Sequence, residues 1–240
     1  MRVSFVLFDG FTALDAIGAY EVLSRIPGLE VEFAAIDRGI VAADTRRLGL
    51  LAYRTLNEIR STDVLIVPGG PGVRALESDA DFLAELRRLD ASSQWTVGIC
   101  NGVTLLAAAG LLEGKKATTN WFDREYIERY GVEFVPERYY REDKYVTGAG
   151  VSASIDTAFF LARMIAGDSV ARAIQLGIEY YPTPPSADSS PWDAPAKIQQ
   201  VVQHYEEGAG STLLKMPPVF GALGMQAIDS GEQGVMRRSA

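Results

Sequence analysis

The sequence predicts an α/β protein with a mostly parallel sheet and helices on both faces. Three observations carry that prediction. Short β-branched and aromatic runs alternate with longer stretches of helical period, the rhythm of strands joined by crossover helices. Most of these runs are apolar almost throughout, as strands covered on both faces are. At 240 residues, 48% of them hydrophobic, the chain can fill one large core without staples.

The first strand is VSFVLF (3–8), which ends at Asp9. A helix follows within FDGFTALDAIGAYEVL, with Asp15 at its start and Glu21 six residues on. At about 100° per residue those two acids face different ways. EVEFAAI (30–36) and DVLIVPG (63–69) are the next strands. SDADFLAELRRLDAS puts Phe82, Leu83, Leu86 and Leu89 on one helical face, with Ser78 and Asp81 as a capping pair. WTVGIC (95–100) runs straight into a small-residue helix, and KATT (116–119) and YVTGA (145–149) complete the strands.

SASIDTAFFLARMIAG aligns Ile155, Ala158, Phe159, Ala162 and Ile165 and stops at Gly167, after which Asp168 can cap SVARAIQLGI. YPTPPSADSSPWDAP is an extended surface segment by its prolines and serines, and AKIQQVVQHYEE (196–207) is a last helix. The reading is one domain over 1–207. The tail, 208–240, has no sustained period and is either partly ordered or packed on a partner subunit through Leu213, Leu214, Val219, Phe220 and Met225.

Composition excludes several classes. Lys plus Arg number 23 against 31 acidic residues, a net charge of −8, which opposes a nucleic-acid or anionic-membrane surface. One cysteine cannot close an intramolecular disulfide, and no Cys and His cluster offers a metal site. The opening MRVSFVLFDG lacks the parts of a signal peptide, and no run is long enough to span a membrane. The expectation is a cytoplasmic protein without metal or organic cofactor.

Chemistry concentrates in three places. GICNG, residues 98–102, has the shape of a nucleophile elbow, a strand turning sharply into a helix with Cys100 at its apex. There the thiol would sit over the carboxyl ends of the strands, and the helix beginning near Asn101 would favour the thiolate. The competing reading is a small apolar residue packed under a helix. VPGGPG (67–72) ends a neighbouring strand and can present the Gly70 N–H, with that of Asn101, as an oxyanion cradle; otherwise it is only a tight turn. It lacks the spacing of a dinucleotide fingerprint and the lysine of a P-loop. Asp15 is the chosen acid partner of the thiol, against a bland alternative as a helix cap.

These pieces, in this order, resemble the ThiJ/PfpI superfamily of flavodoxin-like proteins, also described as class I glutamine amidotransferase-like. The matching text is FDGFTALDAIGAYEVLSR, DVLIVPGGPG, GICNGVTLLAAAGLLEGKKATTNW, YVTGAGVSASIDTAFFLARMIAG and AIQLGIEYYPTPP, about residues 1–185. It is most similar to the isonitrile-hydrating members. That resemblance implies a flavodoxin-like fold, Cys100 as nucleophile, Asp15 as its acid, a backbone cradle at Gly70 and Asn101, and a homodimer. Where relatives commonly carry Thr and His, this chain has Asn101 and Asn120.

The absent histidine bears on the reaction. Cysteine-dependent amide hydrolysis needs an imidazole to protonate a leaving amine, and the single histidine, His204, reads as a surface residue of the last helix. An isonitrile carbon instead accepts a nucleophile and a proton with no leaving group in the first step. The expected reaction is hydration of an apolar isonitrile through a Cys100 thioimidate, with a protonated Asp15 as acid and base. Asn120, Trp121 and Glu21 are placed in the substrate pocket, with Phe8, Phe122 and Tyr181 as further aromatic candidates. The alternatives are a cysteine redox sensor or stress-protective protein, and a glyoxalase or deglycase activity.

Overall fold

The structure, a computed structural model, describes residues 1–186 and 190–213, with side chains in the last segment as far as His204. In chain order the elements are β1 (Arg2–Val6), α1 (Ala13–Leu23), β2 (Glu30–Ala35), β3 (Gly39–Ala42), β4 (Gly49–Ala52), β5 (Arg54–Thr55) and β6 (Val64–Val67). Next come α2 (Val73–Leu76), α3 (Ala80–Ser92), β7 (Trp95–Ile99), α4 (Gly102–Ala108), β8 (Lys116–Ala117) and α5 (Arg124–Glu128). The chain continues through β9 (Glu133–Phe134), β10 (Tyr139–Glu142), β11 (Tyr145–Gly148), α6 (Ala153–Ala166), α7 (Asp168–Gly177) and α8 (Ala196–Leu213).

A seven-stranded sheet runs β10-β11-β7-β6-β1-β2-β5. Its five inner strands are parallel and, counted along the chain, lie in the flavodoxin order 2-1-3-4-5. Only the edge strand β10 is antiparallel. Every residue of β6 and β7 is buried, which is why both read as unbroken apolar runs. Helix α1 packs on α6, and α6 on α7; α2, α3 and α5 pack on α4, which lies against β6 and β7. The core joins Phe5, Leu65, Ile66 and Ile99 of the sheet to Leu86, Leu105 and Leu161 of the helices. The strand order reverses between β1 and β6, and the carboxyl ends of β1, β6 and β7 meet there.

Some local expectations are corrected. KATT is not a strand of the main sheet: Lys116 and Ala117 pair with β9 in a separate two-stranded sheet. Thr118 and Thr119 leave the ladder because their polar groups have other partners. The Thr118 N–H donates to Thr147 Oγ1 at 3.0 Å and the Thr119 hydroxyl to the Cys100 carbonyl at 2.7 Å. Helix α3 is capped by Asp79, whose carboxylate accepts the N–H groups of Asp81 and Phe82, and not by Ser78. Gly167 does end α6, at φ 85°, but it also takes the cap position of α7, leaving Asp168 as that helix's first residue, paired with Arg163 at 3.2 Å.

The hairpin of β3 and β4 had no clear sequence signal. Helix α8 continues to Leu213, past the expected boundary at 207, while Leu214, Val219, Phe220 and Met225 lie outside the described residues. No helix among the described residues is long and apolar enough to cross a membrane.

Candidate active site

Cys100 sits one residue beyond β7 with φ at +54°, a left-handed conformation that costs a non-glycine residue about 1–3 kcal/mol unless its surroundings fix it. Here they do. Its N–H donates to the carbonyls of Gly148 and Ala149 at 3.0 and 2.9 Å, and its own carbonyl accepts the Thr119 hydroxyl. Two glycines let the neighbouring backbones close in. A β-carbon on Gly102 would collide with the carbonyls of Val67 and Pro68, and one on Gly69 would lie 2.9 Å from Cys100 Cβ. The elbow read from the sequence is present, and it points the thiol into an enclosed site with only 5% of the residue exposed.

Asp15 enters from the first turn of α1 and is fully buried. Its Oδ2 accepts the Gly69 N–H at 2.8 Å, while Oδ1 has no hydrogen-bond partner among the described residues. Burial pushes its pKa well above the usual carboxylate range. The Gly69 N–H pulls the other way, and the negative charge of Asp44 adds to the rise. Asp44 is brought there by the β3–β4 hairpin, where its Oδ2 accepts the Thr12 hydroxyl at 2.9 Å. The sequence reading requires a protonated Asp15, and burial shifts its pKa in that direction.

The sulfur is held by two donors. Asn120 Nδ2 lies 3.3 Å from Sγ, and the backbone N–H of Asn101 also faces it. These favour the thiolate, but burial outweighs them. The thiol is pushed well above its usual pKa by desolvation first, then by the charge of Asp15, with Asp123 adding to it. This corrects the expectation of a thiolate at neutral pH: α4 has only seven residues, and the strand ends that bring Asp15 close also dry the sulfur. Burial thus disfavours the charged form of both the thiol and the carboxyl group.

The cradle is corrected as well. The Gly70 N–H is donated to Asn101 Oδ1 at 2.7 Å, so it is engaged inside the loop and not offered to a ligand. The N–H groups of the first two glycines of VPGGPG thus fix two side chains: Gly69 holds Asp15 and Gly70 holds Asn101.

Glu21 pairs with Arg25 at 2.5 Å with 45% of its side chain exposed, which takes it out of the buried cluster. Trp121 follows Asn120 and packs edge-on to Phe122, half-buried. Phe8 belongs to the core, packed edge-on against Phe82, and Tyr181 is exposed. His204 is exposed on α8.

The sequence reading missed Asp123, a buried acid ion-paired with Arg74, whose guanidinium also lies 3.3 Å from the Tyr126 ring centre. It also missed Asp44 and Thr119. Only the ladder of threonines before Asn120 could have drawn attention to that segment. No group of three or more His, Cys, Asp or Glu residues suited to a metal occurs among the described residues.

A strained, buried cysteine at the end of a central strand of a flavodoxin-like sheet, facing an acid from the first helix, defines an α/β protein built around a cysteine elbow. The chain belongs to the DJ-1/PfpI family, which it matches over residues 1–164. It is 35% identical over 198 residues to isonitrile hydratase of Pseudomonas putida, covering 82% of this chain and 86% of that one. It is 24% identical over 137 residues to deglycase PfpI of Pyrococcus furiosus, covering 56% of this chain and 81% of that protein. The crystal structure of a ThiJ/PfpI family protein from Pseudomonas syringae superposes with a TM-score of 0.82 at 28% identity, covering 90% of each chain. These named homologues include enzymes.

Proposed function

We propose that the protein is an isonitrile hydratase, converting an isonitrile and water into an N-substituted formamide. The observation that carries this reading is the pairing of a buried thiol with a buried carboxylic acid, with no imidazole in the cluster. Addition of a thiol to an isonitrile needs one proton delivered to the carbon the sulfur attacks. Asp15 can give its proton to that carbon as its other oxygen takes the thiol proton, so the acid ends the step as it began. A C–S bond forms, the triple bond becomes a C=N bond, and no group departs. Both raised pKa values then assist the reaction, because each partner must arrive protonated.

The enclosure also favours this substrate class. A linear N≡C group is a rod two atoms long that can reach a recessed sulfur while its apolar substituent stays nearer the surface. Deglycase or glyoxalase chemistry would ask for a base that stays ionised, which this buried Asp15 does not favour. The same burial of the thiol weighs against peroxide sensing, since the thiolate is the species oxidised. The likeness to the Pseudomonas putida hydratase supports the reading. A homodimer, acting in the cytoplasm, belongs to the same proposal.

The test is mass-spectrometric detection of N-cyclohexylformamide after incubation with cyclohexyl isocyanide, beside Cys100→Ala. Product from the wild type alone is the expected result. Its absence from folded wild-type protein with a titratable thiol would overturn the reading.

A further inference from the structure

One oxygen atom of the cysteine cluster has no work in the first step. Asn120 spends its Nδ2 on Sγ, yet its Oδ1 is buried, with the residue only 6% exposed, and lacks a hydrogen-bond partner among the described residues. Asp15 Oδ1 is also buried without a partner among the described residues; because Oδ2 accepts the Gly69 N–H, Oδ1 is the oxygen that carries the acid proton, and it becomes an acceptor once that proton has been given up. Leaving an acceptor buried and unmatched costs about 1–3 kcal/mol, so once the thioimidate nitrogen holds the Asp15 proton the two oxygens call for a ligand that donates twice. An isonitrile has no N–H or O–H to give. Water has two.

Resting on the hydratase reading, we propose that Asn120 is a further catalytic residue, whose Oδ1, with Asp15 Oδ1, seats the water that hydrolyses the thioimidate. Held by its two hydrogens, that water turns a lone pair toward the carbon bonded to Sγ. Its oxygen forms the C–O bond. Asp15 first gives its proton to the nitrogen, and its freed Oδ1 then takes one of the water's protons, giving a tetrahedral adduct that carries OH, NH and sulfur. Collapse breaks the C–S bond; the hydroxyl proton returns through Asp15 to the departing sulfur, and the formamide leaves with Cys100 as a thiol. Asn120 Nδ2, already on Sγ, supports the negative charge that builds there as the bond breaks. One side chain thereby serves both the entering oxygen and the leaving sulfur.

The test follows the Cys100 adduct by intact-protein mass spectrometry during turnover of cyclohexyl isocyanide, with formamide measured in parallel. Asn120→Ala and the volume-keeping Asn120→Leu are the variants, and thermal melts check their folding. Turnover is expected to fall about a hundredfold, while adduct formation in a single turnover slows by less than about tenfold, so that the adduct accumulates. Asn120→Asp keeps an acceptor at the same place and is expected to accumulate none. If formation of the adduct and release of formamide fall by the same factor in both apolar variants, Asn120 serves only the sulfur and the water seat is wrong. Wild-type protein that yields neither adduct nor formamide would instead remove the hydratase reading itself, and this inference with it.

Discussion

Strand β7 carries a buried polar cluster at each end, and the two are built on opposite terms. At its start the Thr96 hydroxyl donates to Asp90 Oδ1 at 2.7 Å, with Ser93 Oγ 2.7 Å from the same hydroxyl. Lys144 Nζ lies 3.0 Å from Asp90 Oδ2, and the Tyr145 hydroxyl donates to that oxygen at 3.4 Å, its own pKa pushed up to about 12 by burial and by Asp90. Both Asp90 oxygens are matched. At its far end Cys100 is strained, the Asp15 Oδ1 and Asn120 Oδ1 atoms are unmatched, and the charges of Asp15 and Asp123 add to the rise of the thiol pKa. The same strand shows that this fold can satisfy a buried carboxylate fully, so the unmet groups at its far end belong to function rather than to a general tolerance of loose polar atoms.

The comparison breaks most visibly at the cysteine. Cys100→Ala is expected to take hydration to background, a loss of at least about 10⁴-fold, while stability moves by no more than about 1 kcal/mol because only one small buried atom is removed and alanine leaves the backbone strain as it was. Asp15→Asn keeps an acceptor for the Gly69 N–H but cannot cycle a proton. Its turnover is expected to drop about 10³-fold with adduct formation lost in the same proportion, and full turnover in this variant would sink the acid role. At the other end the consequences should reverse. Asp90→Ala is expected to lower unfolding free energy by about 3 kcal/mol in urea titration, since it strands Lys144 and Thr96, and to leave turnover at 25 °C within about twofold. A large change in activity there would mean the two clusters are coupled along β7.

Much of this contrast could be read before any coordinates. The parallel character of the sheet, the elbow and the divergent facing of Asp15 and Glu21 follow from apolar runs, glycine placement and helical period, all local properties of the chain, whereas the flavodoxin-like arrangement came from the family resemblance. What escaped depends on distance. That Gly70 N–H turns inward to Asn101 is a matter of loop geometry, and that Cys100 is a thiol and not a thiolate depends on how many atoms crowd around it. Motif reading counts the donors at a helix start and cannot count the atoms that bury the sulfur once the chain has folded. Asp44 and Asp123 were missed for a related reason: each reaches the site from an element, the β3–β4 hairpin and the turn before α5, that has no regular pattern of its own. Thr118 and Thr119 misled because β-branched residues look like a strand when their hydroxyls in fact bind backbone elsewhere.

The smallest effect is the one that sharpens the contrast further. Burial holds the Asp15 pKa above 3.8, so above that pH the unfolded chain releases a proton that the folded protein retains. The stability this group contributes is full below 3.8 and is lost as pH rises through its folded pKa. Asp15→Asn removes that loss. It is expected to be more stable than the wild type by about 1 kcal/mol at pH 8, the usual size of a gain made by relaxing a functional group. The gap should close toward zero as the pH is lowered to 4, where both side chains are neutral. Urea titrations of the two proteins at pH 4, 6 and 8 measure it directly. A gap that stays constant with pH would mean that Asp15 is not titrating across that range, and a wild type that gains stability on going from pH 6 to 8 relative to the variant would mean that the carboxylate is the form the fold prefers.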